Sequence, residues 1–269
     1  RLIAGRIGDL KLRADGKGEA DPNLTVVATR INKRYYARMM VALRARWNAE
    51  PFAYDWRRDI DASSDALADL IRAKFPGQPV HLVAHSMGGL VSRNMIRRHP
   101  TLWDEMRGAE LTGGGRLIML GTPNYGSFAI VQAMTGEDRM MGLLESVDLK
   151  HDMTELLGIT NSFLGSYQLL PAPSKLPPSL NDLYLADTWS QQAQVSQAHL
   201  DRAHRFFADL EASVTIDPLR MIYVAGCRQP TIESMTIDGR GDFEYSLSRN
   251  GDGRVPHPLR LLRAVPTYY

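Results

Sequence analysis

The chain of 269 residues has one cysteine, Cys227, so no disulfide can form within it and the fold must rest on packing. No stretch reaches the roughly 18 consecutive apolar residues that a membrane-spanning helix needs, so no transmembrane segment is expected. An excess of either charge is also missing: 32 Lys and Arg stand against 30 Asp and Glu, a net charge of +2. Basic runs such as Arg97-Arg98 are short, and a nucleic-acid partner is not expected. The first residue is Arg1 rather than Met, and no signal-like segment follows it. This gives the expectation of a fragment, or of an internal domain of something longer. The compartment stays open. One cysteine neither proves nor excludes secretion, and with no visible signal the balance leans to the cytoplasm. Internal repeats and low-complexity tracts are absent. What remains, 44% hydrophobic and 23% charged, is a globular composition, long enough for one large domain or a domain with a cap.

Short apolar runs alternate with stretches of helical spacing. Arg116-Leu117-Ile118-Met119-Leu120 and Met221-Ile222-Tyr223-Val224-Ala225-Gly226 read as buried strands, and Ala264–Tyr269 as a further one. Leu24–Ala28 and Pro51–Tyr54 are weaker strand candidates. Arg34 to Trp47 reads as a helix through Tyr36, Met39, Met40 and Leu43. Ser63 to Phe75 is amphipathic, with Leu67, Leu70, Ile71 and Phe75 on one face and Pro76-Gly77 as its stop. This alternation predicts an α/β protein with a mostly parallel sheet. Between Ser127 and Arg220 the pattern loosens around Pro171, Pro173, Pro177 and Pro178, with helical pieces at Asp138–Ser146 and Gln191–Leu210. That stretch is too long for a simple crossover and reads as an inserted cap. Thr231–Asp238 and Asp242–Leu247 read as a hairpin around Gly239-Arg240-Gly241.

The most informative segment is Ala84-His85-Ser86-Met87-Gly88-Gly89-Leu90. It follows Val80-His81-Leu82-Val83 and opens the helix-like Val91–Arg98. A Ser at the apex of a strand–turn–helix, with small residues two positions to either side, is the pattern of a nucleophile elbow. The alternative is an ordinary turn.

A Ser hydroxyl needs a base to take its proton and an acid to orient that base. On this fold they follow in the order Ser, Asp or Glu, His. Asn250-Gly251-Asp252-Gly253-Arg254-Val255-Pro256 supplies the acid candidate, Asp252, between two glycines. The only histidine after it is His257, five residues on in the same loop, and it is the candidate base within the chain. The other histidines precede the acid; none groups with Cys or carboxylates at metal-ligand spacing, so no metal is expected. One oxyanion donor is the Met87 backbone N–H. For the second, the chain before Ser86 offers only Gly5-Arg6-Ile7-Gly8, a poor substitute for a glycine-rich loop.

Together these motifs resemble the lecithin:cholesterol acyltransferase family, which includes phospholipases and acyltransferases of the α/β-hydrolase fold. The resemblance rests on Phe52-Ala53-Tyr54-Asp55-Trp56-Arg57, Leu82–Val91, Leu120-Gly121-Thr122-Pro123-Asn124-Tyr125-Gly126-Ser127, Tyr167-Gln168-Leu169-Leu170-Pro171 and Gly251–Pro256, in the family's order. It implies helices on both faces of the sheet, a hydrolase core at 1–127 and 216–269 that is incomplete at both ends, and a cap at 128–215. It implies Ser86 as nucleophile and Asp252 as acid, with the triad histidine beyond Tyr269 and the oxyanion loop before Arg1. It also places Tyr54, Asp55 and Trp56 at the mouth of an acyl pocket. The alternative for these three is packing, with Asp55 paired to Arg57 or Arg58.

Two departures stand out. Arg254 occupies a position where the family has Thr, and one cysteine cannot form a lipid-docking disulfide loop, which weighs against lipoprotein-type binding. The implied reaction is acyl transfer from a lipid ester through acyl-Ser86 to water or an alcohol, without a cofactor. Met134, Met140, Met141 and Met153 suit an apolar acyl chain, or are cap core. Peripheral contact with a membrane is compatible with this. Two other readings stay open: a catalytically incomplete binding or sensor module, and a peptidase or amidase on the same fold.

Overall fold

The computed structural model describes residues 6–108, 114–148, 150–213, 215–238 and 242–269. Within them run six strands: β1 (Leu82–His85), β2 (Leu117–Leu120), β3 (Met221–Val224), β4 (Thr231–Ile237), β5 (Phe243–Ser248) and β6 (Thr267–Tyr268). Four form one parallel sheet in the order β1-β2-β3-β6. The expected hairpin is present as antiparallel β4–β5; its glycine tip lies outside the described residues.

The strands are short and rich in branched and sulfur-bearing residues, which fit a pleated, buried surface. Their side chains alternate. Leu82, Ala84, Leu117, Met119, Met221 and Tyr223 point into the main core. There they meet α2 (Ile60–Lys74), α3 (Met87–Arg98) and the later half of α9 (Gln197–Ala212) through Leu67, Ile71, Leu90, Val91, Met95, Phe206 and Phe207. α2 starts where the Asp59 carboxylate accepts from the Asp61 N–H and ends with Arg72 and Lys74 in its last turn, each charge matched to the helix dipole. α1 (Lys33–Arg44) has no buried residue and reaches β1 through a side chain. Tyr36 there shares a 2.7 Å hydrogen bond with His85 Nδ1.

Between β2 and β3 come α5 (Ala129–Thr135), α6 (Arg139–Val147), α7 (Met153–Thr160), α8 (Leu164–Tyr167), several 3-10 turns and α9; α4 (Pro100–Glu105) follows α3. This stretch builds a second core around Tyr167, Leu180, Leu183, Trp189 and Leu200, which reaches the hairpin through Ile232, Met235 and Phe243. A smaller third core joins Met141, Leu156, Leu157 and Phe163 to Ile7 and Leu12. α9 is shared, with Leu200 and Ala203 in the second core and Phe206 and Phe207 in the first.

Two strand expectations are corrected. Leu24–Ala28 is irregular and Val27 is exposed; a lone β-prone run does not pair without a neighbouring strand to supply its hydrogen bonds. Pro51–Tyr54 runs without strand pairing among the described residues.

Candidate active site

Ser86 joins β1 directly to α3 at φ 53°, ψ −129°. A non-glycine residue at positive φ is strained, and such strain persists only where its surroundings fix it. The Ser86 N–H donates to Leu120 O at 2.9 Å, its carbonyl accepts from Gly89 N at 3.0 Å, and its side chain does not cap α3. The close approach is at Gly89. A Cβ there would lie 2.0 Å from Thr122 Oγ1, whereas one at Gly88 would lie 3.9 Å from the Ala84 Cβ, in ordinary contact. Gly88 thus leaves room for a small side chain beside Ala84, and Gly89 is the position that only glycine fills. The Met87 N–H belongs to the first turn of α3, whose donors have no intrahelical acceptor and sit at the positive end of the helix dipole.

Asp252 lies in a loop held beside residue 229 by a bridge. Its Oδ1 accepts from the backbone N–H groups of Arg254 (2.9 Å) and Val255 (2.8 Å), and its Oδ2 from Arg260 Nη1 (3.1 Å). A Cβ on Gly226 would come 2.7 Å from the Asp252 Cβ, and one on Gly121 3.4 Å from Oδ2. Gly121 directly follows β2 and Gly226 closely follows β3, so Asp252 lies across the carboxyl ends of these strands. Ser86 stands at the same end of the neighbouring strand β1. Partial burial holds the His85 imidazole below its ordinary value, and the Asp252 charge opposes that shift.

His257 heads a 3-10 turn, His257–Leu259. Its ring tilts against Tyr269, with centroids 5.5 Å apart, and its Nε2 is buried without a partner. Burial, then Arg260, push its pKa down, while Asp252 and Glu233 act against them. The carboxylate of Asp252 is taken by two backbone amides and Arg260, and among the described residues no histidine hydrogen-bonds to it. Of the expected oxyanion segment, Gly5 lies outside the described residues; Ile7–Leu10 is a short 3-10 helix.

The Tyr-Asp-Trp-Arg segment divides by role. Asp55 is bound by Arg57 Nε (2.8 Å) and Nη2 (2.6 Å), and by Arg58 Nε (3.1 Å). Arg57 is buried, and its Nη1 and Nη2 also reach both oxygens of buried Glu19, at 3.0 and 3.1 Å. The Asp55 side chain is thus engaged in an ion network tying this segment to the N-terminal region. Trp56 is 51% exposed and meets Phe163 edge-on. Tyr54 stacks on Phe52, its hydroxyl 3.9 Å from where a Gly88 Cβ would sit; burial, then Tyr36, push its phenol up. Arg57→Ala leaves Glu19 and Asp55 without their buried cation and should cost about 3–5 kcal/mol, readable as a lower denaturant midpoint with unchanged slope.

The Gly121–Ser127 stretch fastens these parts together. Asn124 accepts from Arg93 Nη1 at 3.1 Å and donates to Arg260 O at 2.7 Å. The Tyr125 N–H donates to Leu259 O and the Ser127 hydroxyl to Arg254 O. Gly126, at φ 79°, lies where a Cβ would meet Leu170 O at 1.9 Å. Arg93, Asn124 and Arg260, which connect the candidate acid Asp252 to α3, are residues that the sequence reading missed. Their one signal is Asn124's place inside a family motif.

A parallel sheet with a serine at positive φ between strand and helix, and a carboxylate across the next strands, defines an α/β-hydrolase core. The family model for lecithin:cholesterol acyltransferase matches residues 9–263. The chain belongs to that family. Two solved structures are similar at low identity. One is the Tle4–Tli4 complex, at 16% identity and TM-score 0.46, covering 82% of this chain and 50% of that one. The other is the mature lipase BlEst2 of Bacillus licheniformis, at 18% and 0.38, covering 79% and 64%. The chain thus spans 50% and 64% of their lengths. A search of curated proteins found no match.

Proposed function

We propose that the chain is the core of a serine esterase or O-acyltransferase acting on lipid acyl esters. The observation that carries this is Ser86, held at φ 53° between β1 and α3 in a member of the lecithin:cholesterol acyltransferase family. Asp252 at the same end of the sheet supports it. In this reading Ser86 Oγ attacks the ester carbonyl and a histidine takes its proton. The Met87 N–H, at the start of α3, holds the oxyanion. The carbonyl re-forms as the histidine gives that proton to the departing alcohol, which leaves acyl-Ser86. The histidine then takes a proton from water or an acceptor alcohol as its oxygen attacks the acyl carbon, and returns it to Ser86 Oγ as the acyl group leaves. The α/β-hydrolase chain order puts that histidine after the acid; His257 is the candidate within these residues. Tyr54 and Trp56 line the mouth, with Asp55 holding their segment through Arg57 and Arg58.

Residues 128–215 act as the cap, and α6 is its lipid-facing element. Met140, Leu143 and Val147 are 56%, 56% and 44% exposed on one helical stripe, while Met141 is buried against α7. An amphipathic helix with an unburied apolar stripe suits a lipid interface. Replacing the three by Ser should lower flotation with phosphatidylcholine vesicles and raise KM on vesicles, with turnover of a short soluble ester unchanged.

One observation favours a second reading, a binding or sensor module: no described histidine hydrogen-bonds to Asp252. A panel of phospholipid, short ester and matching amide tests both. Ester turnover lost in Ser86→Ala supports the enzyme; amide turnover alone points to an amidase. Binding without turnover in the natural protein points to the module.

A further inference from the structure

Arg260 has no solvent exposure, and its side chain is divided between two acceptors. Nη1 reaches Asp252 Oδ2 at 3.1 Å, Nη2 donates to the Gly226 carbonyl, and Nε is buried without a partner. Burying a guanidinium is costly unless it is well paired, and a bidentate carboxylate is the usual answer. Here one N–H alone goes to Asp252. The backbone amides of Arg254 and Val255 take Oδ1. That leaves Oδ2 with one donor, Arg260 Nη1, against two backbone amides on Oδ1, so an imidazole N–H on Oδ2 would share that oxygen with Arg260. The Asp252 side chain is 18% exposed.

Arg260 is itself held in place. Its carbonyl accepts from Asn124 Nδ2, and Asn124 is clamped by Arg93 of α3, the helix that begins at the elbow. Burial pulls Arg93 down to about 10, and its contacts to the Asn124 carbonyl and side-chain oxygen are its fixed partners.

We infer that Arg260 is a positioning residue: through one hydrogen bond to Oδ2 it fixes the Asp252 carboxylate, and its charge sets how strongly that carboxylate supports the protonated base. The inference rests on the reading of Asp252 as the triad acid. A cation on the same carboxylate oxygen weakens the attraction between that carboxylate and an imidazolium. The base then works at a lower pH than it would beside a bare carboxylate. His257 feels both charges: burial first and then Arg260 push its pKa down, and Asp252 acts against them. The other charged and titratable groups around this pair are few. Arg254 is turned to Asp138, with its Nη1 2.6 Å from the carboxylate. Glu233 of β4 acts on His257. His85 of β1 feels the Asp252 charge, and the Tyr223 phenol, pushed up by burial, feels Arg260, Asp252 and Tyr269.

The test is the pH profile of kcat/KM for a soluble acyl ester in the natural protein, for wild type, Arg260→Met and Arg260→Lys. Removing the charge raises the pKa of the base, so the base stays protonated to higher pH. In Arg260→Met the acid limb should move up by about one pH unit. In Arg260→Lys, which keeps the charge but loses the fork, the limb should stay while kcat falls about tenfold with KM held. If Met leaves the limb where wild type has it, or Lys keeps full kcat, Arg260 is only a structural residue and the inference is overturned. Should Arg260→Met not fold, the Lys variant decides alone. If the wild type shows no Ser86-dependent turnover at all, the functional reading beneath fails and the inference falls with it.

Discussion

Ser86→Ala is expected to lower ester turnover by about four to six orders of magnitude, because the nucleophile, its base and its acid act as one unit and losing the nucleophile removes the covalent route. Binding should survive. Ser86 is half-buried and its side chain does not cap α3, so Ala removes one hydroxyl from a turn whose other bonds are made by backbone. The variant should melt near the wild type and keep its affinity for the lipid. A measured loss within tenfold, in a protein still folded, would mean that the strained turn at φ 53° holds no nucleophile.

Asp252→Asn should lower kcat by about 10⁴-fold, as expected when the group orienting a catalytic histidine can no longer accept its proton-bearing nitrogen. The side-chain oxygen can still receive the Arg254 and Val255 amides. The new NH₂ then faces Arg260 Nη1, donor against donor, where Oδ2 stood. A stability loss therefore accompanies the kinetic one, on the order of 1–3 kcal/mol for a hydrogen bond turned into an unpaired group. Kinetics measured well below the melting temperature, with the melt recorded alongside, separate the two. Full activity in a folded Asn variant would remove Asp252 from the mechanism.

Much of the frame was legible because it is local. Leu117–Leu120 and Met221–Val224 carry their strand preference in four residues, and the Ser63–Phe75 stripe follows α2 to its C-cap, Phe75. The sequence order Ala84-His85-Ser86-Met87-Gly88 is enough to read a turn of the elbow type, and the structure adds the torsion angle. The pairing of Asp55 with Arg57 and Arg58 is likewise a contact between near neighbours. What stayed hidden depends on distant partners. Leu24–Ala28 looks like a strand by composition, but pairing is decided by what lies beside it. Glu19 joins Arg57 across 38 positions. Nothing local marks Arg93 and Arg260 as buried, since arginine is rarely fully buried, and only the fold shows Asn124 holding both. Gly89 looks interchangeable with Gly88 until Thr122 is seen against it.

The most direct measurement is peptide mapping by mass spectrometry of the natural protein after reaction with a fluorophosphonate. The account predicts one phosphonyl adduct, on Ser86 in the Val83–Asn94 region, absent from Ser86→Ala. An adduct on another serine with ester turnover intact, or undiminished labelling of the Ala variant, would contradict it.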